Sequence, residues 1–230
     1  MNASLASHPF DEATAIQIGL NGSFFDRLRV AHRAGWALIQ DSEDTRQVFL
    51  LGAAVNGPRV PQLLARFLAE DGGYDLMVRG AAIDSRHVDY DALRQLPVGT
   101  LGRAYVDFLE RNDLDPDLFQ APPGLPRAIA YLAQRMRQSH DLWHVVTGYG
   151  TDVAGEIELQ AFTYAQVKLP LSFLLTFFGI LRHGLAHPRL FWTIFRAYGR
   201  GRRAAFLPVV DWEARFADPL SDVRRDLGLA

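Results

Sequence analysis

The chain has 230 residues, of which 49% are hydrophobic and 22% charged, and its formal net charge is -2. That length suits one domain, or one domain with an appendage, and it can bury a core without covalent staples. Near-neutral charge gives no drive toward nucleic acid, and the hydrophobic content argues against disorder. Cysteine is absent, which excludes disulfides, thiolate zinc fingers, cysteine-bound Fe–S clusters and cysteine nucleophiles. Any metal must be held by histidine, carboxylate or another oxygen donor.

Residues 1–23 are polar and mixed and read as a flexible N-terminal arm, leaving 24–230 as the domain. The opening residues lack both the basic-then-apolar order of a signal peptide and the Arg-rich, acid-poor character of a mitochondrial presequence. Phe24 to Gln40 has helical periodicity, with Leu28, Val30, Ala31, Ala34, Leu38 and Ile39 on or beside one face. Asp41 to Asp44 breaks it. A second helix follows toward Gly57-Pro58, and a third spans Val60 to Glu70. Tyr74 to Tyr90 reads equally as extended or helical.

Asp91 to Leu96 is a short helix or turn, and Thr100 is the expected N-cap of a helix carrying Leu101, Ala104, Tyr105, Phe108 and Leu109 on its apolar face. A Pro-rich loop precedes Pro126, which suits the first turn of a helix reaching about Val146 and stopping at Gly148. Thr151 or Asp152 caps the next helix, which ends before Pro170. Two apolar helices separated at His187-Pro188 follow, then a final amphipathic helix near Asp222 to Leu227. No alternating run supports a sheet, so the expected fold is all-α: a single-domain multi-helix bundle. Leu169 to Leu181 is the longest apolar run, too short for the ~20 residues that a membrane span needs. With Leu190, Phe191, Trp192, Ile194 and Phe195 it can line an apolar groove; core or a dimer interface is an equal reading. The arginines nearby suit anionic lipid headgroups, although a solvated helix face is the default for scattered charges.

The chemistry sits between His140 and Phe162. His140 and His144 are four residues apart and project from one helical face, with Cβ atoms about 6 Å apart. Asp141 lies about 100° round the helix from His140 and about 60° from His144. Gly148-Tyr149-Gly150 allows a reversal that brings Glu156 back beside them. Two imidazoles with one or two carboxylates and no sulfur suit Zn²⁺, Fe²⁺ or Mn²⁺ better than Ca²⁺. The pattern is near the HExxH zincin helix, but the shorter aspartate beside the first histidine argues against a metalloprotease mechanism. His183 and His187 are also four apart, yet they sit among Arg182 and Arg189 with no acid nearby, so they read as a helix C-terminus. His8, His32 and His87 are isolated.

His140-Asp141-x-x-His144, eleven residues and Glu156 resembles the HDxxH-x11-E motif of the coenzyme Q biosynthesis protein 4 family. Leu96 through Asp117 is similar to that family's LP-x-G-(S/T)-LG-x-x-Y-x-x-FL segment, and Gly201-Arg202-Arg203 with Trp212-Glu213 resembles its C-terminal portion. The resemblance implies an all-α fold with the metal site beside an apolar groove, a divalent metal (zinc first, iron or manganese as alternatives) and His140, Asp141, His144 and Glu156 as its ligands. It implies action at C1 of a polyprenylated hydroxybenzoate, where the carboxylate is lost and an oxygen appears, with Asp141 and Glu156 as the catalytic carboxyls. It also implies a polyprenylated quinone precursor as substrate, other ubiquinone-biosynthesis proteins as partners and a peripheral membrane position. A homodimer is expected, and the missing presequence points to the cytoplasmic face of a bacterial inner membrane. Two rivals stand beside this: a non-catalytic lipid-binding scaffold, and an HD-type phosphohydrolase, which needs a further upstream histidine and leaves His144 and Glu156 unexplained.

Overall fold

The computed structural model describes residues 11–40, 44–118, 125–185 and 187–230. The helix break expected at 41–43, the side chain of Ile39, the prolines at 122 and 123, and His8 lie outside them. Among the described residues the chain is all-α and forms no strand, as expected. Its helices in order are α1 (Glu12–Asn21), α2 (Phe24–Gln40), α3 (Thr45–Asn56), α4 (Val60–Ala69), α5 (Gly73–Arg79), α6 (Tyr90–Arg94) and α7 (Leu101–Arg111). Then come α8 (Arg127–Gln138), α9 (His140–Thr147), α10 (Val153–Val167), α11 (Pro170–His183), α12 (Leu190–Arg203), α13 (Trp212–Arg215) and α14 (Leu220–Asp226).

Residues 12–21 correct the expected arm. Asp11 accepts the Thr14 N–H at 2.6 Å and starts α1 as an N-cap. Small residues then let α1 lie close against α3: a Cβ on Gly19 would meet the Ala53 carbonyl oxygen at 2.0 Å. Ala15, Val30, Ala34, Leu50, Leu51 and Ala54 form a small core joining α1, α2 and α3. Polar composition concealed this helix because its fully buried residues are Ala15 and Gly19, which carry little hydropathy, with Ile18 only partly buried beside them.

A larger core runs from Leu63 on α4 through α5 to α10 and on to Leu229, and it includes Trp143, Phe162 and Trp212. Each large apolar side chain fully buried there is worth about 1.5–3 kcal/mol. The buried Arg135 on α8 crosses this core and makes a two-pronged pair with Glu213, at 2.6 and 2.9 Å, while also donating to the Val210 carbonyl at 2.8 Å. A third cluster (Ile157, Ala161, Leu190, Ile194, Ala197) seats α12 on α10.

Two expected helix ends differ. The single helix expected to reach Val146 is two, α8 and α9, separated at Ser139. Thr100 occupies the N-cap position of α7, but its hydroxyl donates to the Pro97 carbonyl at 2.8 Å and caps nothing. The free N–H groups of Leu101 and Gly102 instead donate to the Asp218 and Phe216 carbonyls at 2.9 and 2.8 Å. A distant stretch of backbone does the work of the cap, which local sequence does not encode.

The residues expected to line a groove divide between two environments. Leu190 and Ile194 are buried in the α10–α12 core. Phe173, Phe177, Phe178 and Leu181 of α11 are exposed, as are Phe191, Trp192 (76%) and Phe195 (70%) of α12. Both helices thus carry large apolar side chains on the surface. No described helix is long and apolar enough to cross a membrane.

Candidate metal centre

α9 is a short helix buried on nearly every side: Leu142, Trp143, His144, Val145, Val146 and Thr147 are all shielded from solvent. It ends at Gly148, whose φ of 78° is left-handed backbone that glycine adopts without a Cβ penalty, and whose N–H donates to the His144 carbonyl at 2.8 Å. Four residues on, Asp152 accepts the Gly155 N–H at 2.7 Å and starts α10. Of the two caps considered, Asp152 is the one used, while Thr151 donates its hydroxyl proton to Asn112 Oδ1 at 2.9 Å. Gly155 packs on Gly150, where a Cβ would meet the Gly150 oxygen at 2.2 Å. This tight reversal lays the first turn of α10 beside α9.

The reversal brings His140, His144 and Glu156 together, with one donor atom from each lying within 4.8 Å of the others. Nε2 of His144 is 3.2 Å from Glu156 Oε1, and Nε2 of His140 is 3.9 Å from Oε2. His144 is held from three sides. Its Nδ1 lies 3.0 Å from the Tyr149 carbonyl, which can only accept, so the proton sits on Nδ1 and Nε2 is left facing Glu156. Phe108 of α7 stacks on the His144 ring at 5.5 Å between centroids, and His140 meets it edge-on at 4.9 Å. Sequence reading missed Phe108 and Tyr149 as site residues, although Phe108 fills the aromatic position of the Leu96–Asp117 motif.

Asp141 is not one of the converging donors, although its charge interacts with those of His144 and Glu156. It also acts on Tyr90 and Tyr105, whose rings lie 6.2 Å apart and whose pKa values are raised first by burial. Burial also raises Asp141 itself, to about 6, against the favourable charge of His144. The protein packed round His140, and after it the charge of His144, push the His140 pKa down to about 4, although 34% of its side chain reaches the surface. Burial works against charge on His144 too. There the hydrogen bond and ion pair with Glu156, helped by the Tyr149 carbonyl, prevail and raise its pKa.

The donor set suits a divalent cation of the zinc, iron or manganese kind. Ligands sharing one tetrahedral ion lie about 3.3 Å apart when metal–ligand bonds are about 2.0–2.1 Å. The 3.2 Å pair already meets that spacing, and Glu156, with 41% of its side chain exposed, has room to close on His140. Two histidines and a carboxylate would supply three of the four ligands that a tetrahedral ion takes. Among the described residues His183, His187, His32 and His87 join no such group. His87 instead bonds Asp84 at 2.6 Å, so among the described residues no upstream histidine of the HD-phosphohydrolase kind joins this trio.

Residues 18–230 match the family of the Coenzyme Q (ubiquinone) biosynthesis protein Coq4. A mitochondrial ubiquinone biosynthesis protein COQ4 from Coprinopsis cinerea is 30% identical over 210 residues, which are 90% of this chain and 72% of that one. The Bos taurus COQ4 homolog, also named as mitochondrial, is 32% identical over 206 residues, covering 88% of this chain and 77% of its own. A crystal structure from Nostoc punctiforme, provisionally described as a ubiquinone biosynthesis protein, superposes with a TM-score of 0.72 at 27% identity, over 88% of this chain and 96% of that one. With His140, His144 and Glu156 of its HDxxH-x11-E motif drawn together at the α9–α10 turn, the chain belongs to the Coq4 family of ubiquinone biosynthesis proteins.

Proposed function

We propose that His140, His144 and Glu156 hold a divalent cation, zinc first with iron or manganese as alternatives, and that the protein removes the C1 carboxylate of a polyprenylated hydroxybenzoate in ubiquinone synthesis. The observation carrying this reading is the convergence of the three donors with the His144 tautomer already set. When bound, the cation supplies Lewis-acid stabilisation of negative charge on a substrate carboxylate or neighbouring phenolic oxygen.

The chain's own residues supply the rest. His140 opens to the surface on one side, which leaves a route for an aromatic ring, while Phe108 closes the other face of His144. Loss of CO₂ breaks the bond from C1 to its carboxyl carbon, leaves the electron pair on C1 and takes up one proton there. Asp141, next to His140 but not used by the trio, and Glu156 are the carboxyls placed to hold that proton. In an oxidative version, dioxygen is the two-electron acceptor: C1 loses CO₂ and gains a hydroxyl oxygen from water, and the dioxygen is reduced to hydrogen peroxide.

The exposed aromatics of α11 and α12, flanked by the exposed Arg182, Arg189 and Arg196, are read as the surface for the polyprenyl tail and an anionic membrane. This puts the protein on the periphery of a membrane, read as the cytoplasmic face of a bacterial inner membrane, where it associates with other ubiquinone-biosynthesis proteins and with a second copy of itself.

The test is metal analysis of the purified protein beside His140→Ala/His144→Ala, followed by aerobic and anaerobic assays on a prenylated hydroxybenzoate. Stoichiometric metal and CO₂ release confined to the wild type are expected. Wild-type metal without turnover, and no change in a reconstituted pathway on Asp141→Asn, favours the scaffold reading, which uses the same residues. Absence of metal from both proteins defeats the metal reading.

A further inference from the structure

An α-helix leaves its last four carbonyls without intrahelical donors, and in α9 that is half of the helix. All four have partners. The His144 carbonyl takes the Gly148 N–H. The Val145 and Val146 carbonyls take Nη2 and Nε of Arg224 at 2.8 and 3.0 Å, and the Thr147 carbonyl takes Nη1 of Arg200 at 2.7 Å. Three of the four donors thus come from two arginines more than fifty residues along the chain, one on α12 and one on α14.

Neither guanidinium makes an ion pair among the described residues. Arg200 spends its other terminal nitrogen on the Leu229 carbonyl at 2.7 Å and stands over the Tyr149 ring, 5.5 Å from its centroid. Leu229 is buried, and its N–H donates to the Arg224 carbonyl at 2.7 Å. The two arginines and the chain's last turn therefore form one connected bracket round the end of α9. The negative end of a helix dipole favours cations there, but a single lysine ammonium would meet that need. A fork that bridges two carbonyls requires the planar guanidinium.

We propose that Arg200 and Arg224 are positioning residues of the metal centre. They fix Val145, Val146, Thr147 and the turn to Tyr149. The Tyr149 carbonyl is thereby held where it accepts the His144 Nδ1 proton, and His144 Nε2 is aimed at Glu156. The inference rests on the metal reading above and extends it to residues outside the HDxxH-x11-E motif.

Arg200→Lys and Arg224→Lys keep the charge and remove the fork; Arg202→Lys and Arg225→Lys are exposed controls on the same helices. Cobalt binding is followed by its visible spectrum under chelator competition. Exchange of the His144 Nδ1 proton is followed by NMR in the metal-free protein. Both clamp variants are expected to bind cobalt about 10–100-fold more weakly, with an altered spectrum, faster Nδ1 proton exchange and unchanged helical circular dichroism. The controls behave as wild type.

Clamp variants with wild-type cobalt affinity and a protected Nδ1 proton overturn the inference. Wild-type protein that takes up no cobalt defeats the metal reading instead, and the proton-exchange comparison then decides the clamp by itself. Should either lysine variant lose its helical signal, Arg200→Gln and Arg224→Gln, which remove the fork but keep one amide donor at each place, carry the same measurements.

Discussion

His144 and Glu156 face each other across the α9–α10 turn, Nε2 to Oε1 at 3.2 Å, and that contact sets the protonation of the imidazole. Burial disfavours the charged ring, and the hydrogen bond and ion pair with Glu156 overcome it. In Glu156→Gln only the Tyr149 carbonyl and the charge of Asp141 still oppose the burial. The His144 pKa in metal-free protein is therefore expected to fall, followed through its ring carbon protons by NMR. A value that stays raised would mean that Glu156 is not its partner in solution.

Asp84 is a buried carboxylate in the middle of the loop between α5 and α6. It accepts from the Arg86 backbone N–H at 3.1 Å, Arg86 Nη2 at 2.9 Å and His87 Nδ1 at 2.6 Å. Burial raises its pKa, but these bonds and charges outweigh that and the net shift is downward from 3.8. With the folded-state pKa depressed, its stabilisation is present above pH 3.8 and lost as pH falls below that value through the folded pKa. Asp84→Asn is expected to cost about 1–3 kcal/mol at pH 7, with the difference from wild type shrinking below pH 3.8. Urea unfolding at several pH values checks this, and a cost independent of pH would contradict it.

Gly155 is required by space. A Cβ there would lie 2.2 Å from the Gly150 oxygen and 2.6 Å from its nitrogen, and backbone atoms do not move aside as a flexible side chain does. Gly155→Ala is expected to lose about 1–3 kcal/mol and to weaken metal binding by pushing Glu156 away from His144. Gly35 on α2 has nothing within 4 Å of its would-be Cβ, so Gly35→Ala is the matching control, expected to gain up to about 1 kcal/mol. Equal behaviour of the two in thermal unfolding would count against the tight-turn argument.

Trp192 and Phe195 are exposed on α12. If they enter a lipid surface, Trp192→Ser/Phe195→Ser loses about 3 kcal/mol of partition energy, about 100-fold, without lowering the melting temperature. Co-sedimentation with vesicles containing anionic phospholipid measures it. Wild-type and variant protein pelleting equally would refute the membrane role of this face.

Local sequence determined most of the helices and the identity of the site. Periodicity and punctuation mark α2 from Phe24 to Gln40 and its neighbours, because a half-buried helix repeats its apolar face every 3.6 residues. The spacing of His140 and His144 puts both on one face wherever α9 lies, and the glycines after it announce the reversal to Glu156. Small contact surfaces and distant partners were not legible. The α1–α3 contact is made by Gly19 against the Ala53 carbonyl, which leaves no hydrophobic signal. α7 begins on the carbonyls of Phe216 and Asp218, about 115 residues away in the chain. Only the tertiary structure placed Phe108 on His144 and left Asp141 out of the set of converging donors. It also split α11 and α12 into buried and exposed faces, since helical spacing fixes which residues share a face but not what covers it.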